Sequence, residues 1–232
     1  GSASGDDRGH LRVYLGMAPG VGKTYRMLEE GHRRTARGTD LVVGFVEPHG
    51  RPATEALLAG LETIPRRRFE YRGVVVEDMD TDAILARRPA VALVDELAHT
   101  NAPGSTREKR WQDIDVLLDA GIEVVSTCNI QHLESAADAV ATITGAPVNE
   151  RVPDEVLAQA SEIELVDMSP HALRQRMRHG NVYPPDRTRI AGYLESVRDV
   201  ERRIQKAMAF NVEVPSFDRP AGVPETFEQH AR

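Results

Sequence analysis

The sequence predicts an α/β fold, a mainly parallel sheet with helices on both faces, on three observations. An apolar segment, Leu11–Leu15, runs straight into the turn Gly16-Met17-Ala18-Pro19-Gly20-Val21-Gly22 and then into a helix-forming stretch. Short apolar runs bounded by turn residues alternate with helical stretches along most of the chain, the pattern of βα units. Val91–Val94 is apolar at every position, as a strand buried on both faces should be, and it ends in Asp95-Glu96.

Taken in order, strands are expected at Leu11 to Leu15, Leu41 to Val46, Val74 to Glu77, Val91 to Val94, Glu123 to Thr127 and Ile163 to Val166. Helices are expected at Lys23 to Arg37, Pro52 to Thr63, Thr81 to Arg87, Lys109 to Ala120, His132 to Thr144, Asp154 to Ala160 and His171 to His179. Gly121 and Gly145 stand where helix C-caps belong. The domain is expected to occupy 11–186, behind a tag-like or irregular 1–10. Tyr183-Pro184-Pro185 then breaks the pattern, and Arg187 to Met208 reads as one long helix. Its apolar residues Tyr193, Val197, Val200, Ile204 and Ala207 form a seam at heptad spacing, open either to packing on the domain or to self-association through 187–208. The Pro-rich, polar tail from Pro215 is expected to be irregular.

A chain of 232 residues with 41% hydrophobic content can bury a core of its own. A formal net charge of −7 argues against broad nucleic-acid binding, so Arg66-Arg67-Arg68 and the cluster Arg174 to Arg178 are expected to be solvated faces. The single Cys128 cannot close an internal disulfide, and the sequence shows neither a signal-peptide core nor a long apolar span. A reducing, cytoplasmic setting is the expectation.

The opening turn reads as a phosphate-binding loop. Gly20 and Gly22 let backbone N–H groups turn inward around a phosphate, with Pro19, Val21 and Tyr25 flanking it. Lys23 can reach the outer phosphates, Thr24 can place its hydroxyl on a magnesium ion, and the helix that starts here adds free N–H groups and a positive dipole end. The pattern has one irregularity, Met17 where a small residue is usual, with Gly16 displaced by one. Asp95 supplies the matching acidic group, expected to hold magnesium, and Glu96 can orient or deprotonate an attacking water. The fold expected is therefore P-loop NTPase-like.

The strand from Glu123 also ends in polar groups. If it lies between the loop strand and the Asp95 strand, Thr127 or Asn129 would face the terminal phosphate. The long polar segment from Leu97 to Asp113 starts at that point too. It offers His99, Asn101, Arg107 and Arg110 as contacts for nucleotide or a partner, although an arginine in an exposed loop is usually just solvated. Glu96-Leu97-Ala98-His99 lacks the second histidine of a zinc helix, and Cys128 suits a small apolar strand end better than a nucleophile.

Four segments together resemble the N-terminal cytoplasmic domain of the KdpD sensor histidine kinase family: Gly20–Tyr25 with Met27-Leu28, Val94–Asn101, Lys109–Asp113 and Asn129–Ser135. Val152-Pro153-Asp154 and Asn181-Val182-Tyr183 add to the likeness, which runs over about Leu11 to Arg187. The resemblance implies a regulatory ATP-binding module of a membrane-bound two-component sensor of potassium and turgor, acting through a response regulator on potassium-uptake genes. Gly22, Lys23 and Thr24 match that family's first nucleotide motif, and Asp95 with Glu96 its second. Beyond Tyr183 the sequence departs from the usual lead into a universal-stress-type domain, and the membrane spans, phosphoaccepting histidine and kinase domain lie outside it. A fragment or a short natural form is expected.

Two readings compete with a regulatory Mg–ATP switch. One is a free-standing, slow ATPase or phosphotransferase in which Lys23 and Glu96 are catalytic. The other is an interaction module that holds nucleotide only as a structural element.

Overall fold

The fold is that of a computed structural model, which describes residues 8–17, 19–144 and 147–168. The expected helices 171–179 and 187–208, the cap at Gly145, the irregular tail and most of the expected 1–10 segment lie outside the described residues. β1 (Leu11–Gly16) leads through the glycine turn to α1 (Lys23–Ala36), then β2 (Leu41–Phe45), α2 (Pro52–Leu58) and the two-residue β3 (Glu62–Thr63). β4 (Arg67–Tyr71) and β5 (Val74–Asp78) follow, then α3 (Thr81–Arg87), β6 (Val91–Val94), α4 (Arg110–Asp119) and β7 (Glu123–Asn129). A 3₁₀ turn at Ile130–His132 precedes α5 (Glu134–Thr144), α6 (Asp154–Ala158) and β8 (Glu162–Val166).

Six strands form one parallel sheet in the order β3-β2-β6-β7-β1-β8. Since side chains alternate across a strand, the sheet divides its apolar residues between two cores. Leu11, Val13, Leu15, Val42, Ala92, Val94 and Val124 pack with Ile84 of α3 and Ile114, Leu117 and Leu118 of α4. Tyr14, Leu41, Val43, Val91, Leu93 and Val125 pack on the other face with Met27 and Leu28 of α1. The α/β class and the helices on both faces are thus as the sequence predicts, and β7 does lie between β1 and β6.

The departures have local causes. The strand expected over Val74 to Glu77 in the parallel sheet instead pairs antiparallel with β4 in a separate hairpin. Its two-residue turn, Arg72-Gly73, has φ of 51° and 78°, the double left-handed geometry that matches strand twist, and the polar run Arg66–Glu70 hid the partner strand. The helix expected over Pro52–Thr63 stops at Leu58, because Gly60 turns at φ 85° and Glu62–Thr63 adds an edge strand beside β2. The helix expected from His132 starts at Glu134, since Leu133 is extended and bridges to Val152.

Candidate functional site

The glycine turn and three strand ends converge at one side of the sheet. Pro19, Gly20, Lys23, Thr24, Asp95, Glu96, Thr127 and Asn129 line a single cleft outside the carboxyl ends of β1, β6 and β7, where open parallel sheets hold their ligands. Gly20 and Gly22 adopt φ of 85° and 105°, conformations that a side chain disfavours. Val21 turns into the apolar core beside α1, Tyr25 is exposed on α1, and neither lines the cleft; nor does Gly22. Met17 packs on the opposite core. Gly16 acquires a distinct role: a Cβ there would stand 2.6 Å from Lys23 Cδ and 2.9 Å from its Nζ, so the missing side chain is the space in which the lysine lies.

Lys23 donates to Asn129 Oδ1, which ties the end of β7 to the start of α1. Burial lowers its ammonium to about 8, against the pull of Asp95 upward. Asp95 is buried. Thr24 Oγ1 stands 3.2 and 3.1 Å from its two carboxylate oxygens, and the Thr127 hydroxyl donates to Oδ1. Burial, and then the neighbouring Glu96 charge, raise the Asp95 carboxyl above its ordinary value. Thr127 Oγ1 in turn accepts from Glu96 N at 3.1 Å, so the two strand ends are locked together at the acidic pair.

Glu96 has φ 61°, the left-handed region, which a non-glycine residue enters only when its surroundings hold it there. Its Oε1 receives His49 Nε2 at 3.1 Å. Burial would raise the Glu96 carboxyl, but this bond, the charge of His49 and the Arg110 guanidinium hold it below the usual range.

Behind the cleft stands a buried ion pair. Arg110, expected as a contact for nucleotide or a partner, instead opens α4 with no exposed surface; its guanidinium binds Asp78 and the Asp95 carbonyl and lies 3.8 Å from the Phe45 ring centroid. Asp78 also accepts from Met79 N and Ala102 N at 2.7 Å each and faces His99 Nε2 at 3.5 Å. Burial opposes ionisation of Asp78, yet these partners hold its carboxyl well below the usual range. The segment 97–109 is folded on itself: Thr100 bridges to Lys109, Asn101 Nδ2 donates to Asp113, and Arg107 pairs with Asp113 at 2.9 Å. Of its expected contacts only His99 lines the cleft.

The structure adds His49, Arg51, His132 and Glu150 to the cleft wall. His49 and Arg51 sit in the polar turn after β2, and the rule that ligands gather at carboxyl ends of parallel strands would have found them. For Glu150, which follows a segment without apolar pattern, no sequence signal pointed there.

Fold and cleft together define an open α/β domain whose charged groups gather at the carboxyl ends of its central strands. The chain belongs to the KdpD family: residues 7–200 match the family described as the osmosensitive K+ channel His kinase sensor domain. It is 54% identical over 200 residues to the sensor protein KdpD of Mycobacterium tuberculosis, covering 83% of this chain and 23% of that protein. It is 51% identical over 199 residues to the sensor protein KdpD of Escherichia coli, covering 86% of this chain and 21% of that protein. A putative sensor protein KdpD of Synechocystis is 53% identical over 180 residues, 78% of this chain and 49% of that protein. The chain thus spans from about a fifth to about a half of the length of these relatives. Among the described residues, no helix is long and apolar enough to cross a membrane.

Proposed function

We propose that this domain binds Mg–ATP and passes its bound state to the rest of a potassium- and turgor-responsive sensor histidine kinase, which signals through a response regulator to potassium-uptake genes. The observation that carries the nucleotide reading is the meeting of Lys23 and Thr24 with Asp95, from segments far apart in sequence, in one cleft beside a turn with two left-handed glycines. In that cleft the backbone at Gly20, Lys23 and Thr24 and the Lys23 ammonium would hold phosphates, and Thr24 with Asp95 would hold magnesium. Magnesium supplies charge neutralisation between phosphate oxygens. Asn129 fits a switch role, because it touches the lysine from the end of β7.

The test is equilibrium binding of ATP to the wild type and to Lys23→Ala. Binding by the first and a large loss in the second is expected; no binding by the wild type, or no loss in the variant, overturns the reading. A hydrolytic role rests on Glu96, aimed into the same cleft. Slow phosphate release, abolished in Glu96→Gln, would support it; release unaltered by that substitution would remove Glu96 from the chemistry.

A further inference from the structure

The turn between β2 and α2 enters the cleft from the side opposite the glycine turn, since β6 and β7 separate β2 from β1. It is fixed at three points. At its base Arg66 binds Glu47 at 3.0 Å and the Val46 carbonyl at 2.8 Å, with its guanidinium over the Phe45 ring. At its end the Arg51 carbonyl accepts Thr54 N and Glu55 N, both at 3.0 Å, from the first turn of α2. At its tip His49 meets Glu96.

The tip is also strained. His49 has φ 52° and Gly50 66°, so His49 and its partner Glu96 are both left-handed non-glycine residues facing each other across the cleft. Such conformations persist where surrounding contacts over-determine them, and they concentrate at ligand sites. Held this way, the turn lines the cleft with Arg51 as well as His49, so Arg51 shares the cleft with Lys23.

We propose that this turn reads the outermost phosphate of the bound nucleotide, with Arg51 as the side chain that touches it and His49 as the positioning residue that fastens the turn to Glu96. The inference rests on the Mg–ATP reading above. The turn enters from the β2 side, across the cleft from the glycine turn, so its side chain approaches the end of a ligand away from the glycine turn, which is the far end of a triphosphate. The guanidinium fork suits that end, because two parallel N–H donors match two phosphate oxygens in a way an ammonium does not. The site therefore distinguishes nucleoside triphosphate from diphosphate, the distinction a nucleotide-dependent regulator needs.

The experiment is equilibrium binding of Mg–ATP and Mg–ADP to the whole chain and to four variants, each checked for folding by thermal melting. The wild type should prefer ATP by about tenfold, the scale of one charge-assisted hydrogen bond. Arg51→Ala should abolish that preference while its ADP affinity stays within about twofold of wild type; Arg51→Lys should keep part of it. His49→Ala should lower the preference and His49→Gln, which keeps a donor for Glu96, should restore it. Equal affinity of the wild type for both nucleotides, or equal loss of both in Arg51→Ala, overturns the inference and leaves the nucleotide reading intact. No nucleotide binding by the wild type overturns both.

Discussion

Arg110 and Asp78 show how single residues set the geometry of the cleft without lining it together. A guanidinium with no exposed surface survives only because Asp78 and the Asp95 carbonyl accept its hydrogen bonds, and the carbonyl bond fixes the peptide just before Glu96. Arg110→Met should therefore lower stability by about 3–5 kcal/mol, because the buried Asp78 loses its guanidinium partner. Urea unfolding measures this, and a double variant that also carries Asp78→Asn should recover part of it, because the neutral amide removes the buried charge and keeps an acceptor for Met79 N and Ala102 N. Asp78 also sets a dependence on acid. Its carboxyl is held below its unfolded value, so the stabilisation is complete above about pH 4 and is lost as pH falls through the folded value. Urea midpoints should fall below about pH 4 in the wild type, and fall less over the same range in Asp78→Asn, which starts from a lower value at neutral pH.

At the scale of elements, α3 was legible to the residue because its signals are local. Asp80 accepts from Ala83 N at its start, and Arg88 closes it in the left-handed conformation with its N–H on the Ile84 carbonyl. Arg88 has φ 50° with an ordinary side chain, so Arg88→Gly should stabilise the protein by about 0.5–1 kcal/mol, read as a rise in melting temperature. The hairpin β4–β5 was legible only in part. Val74–Val76 looked like a sheet strand by composition, but an apolar run carries no information about its partner, and Val74 and Val75 stand 62% and 50% exposed on a ribbon outside the main sheet. α1 was read nearly to its end, since Lys23 opens it directly after the glycine turn and Gly38 follows shortly after its last residue.

For the whole molecule, the strand order puts β7 between β1 and β6, and this joins the ends of two sequence-distant segments into one cleft. Under the proposed function, Mg–ATP at about a hundred times its dissociation constant should stabilise the domain by about 2.7 kcal/mol, or several degrees in melting temperature. Lys23→Ala should abolish the shift, and a shift retained in that variant would place the binding elsewhere. The sequence by itself determined the α/β class, the alternation that splits the core in two, and the glycine turn with Lys23, Thr24 and Asp95, because periodicity and short spacing are local properties of a chain. Only the tertiary structure decided that Gly16 makes room for Lys23, that Arg110 is buried, that His49 fastens onto Glu96, and that Arg51 faces the same cleft. The first depends on how one turn folds back on itself and the other three on which segments lie side by side, and neither leaves a periodic trace in the residues that make it.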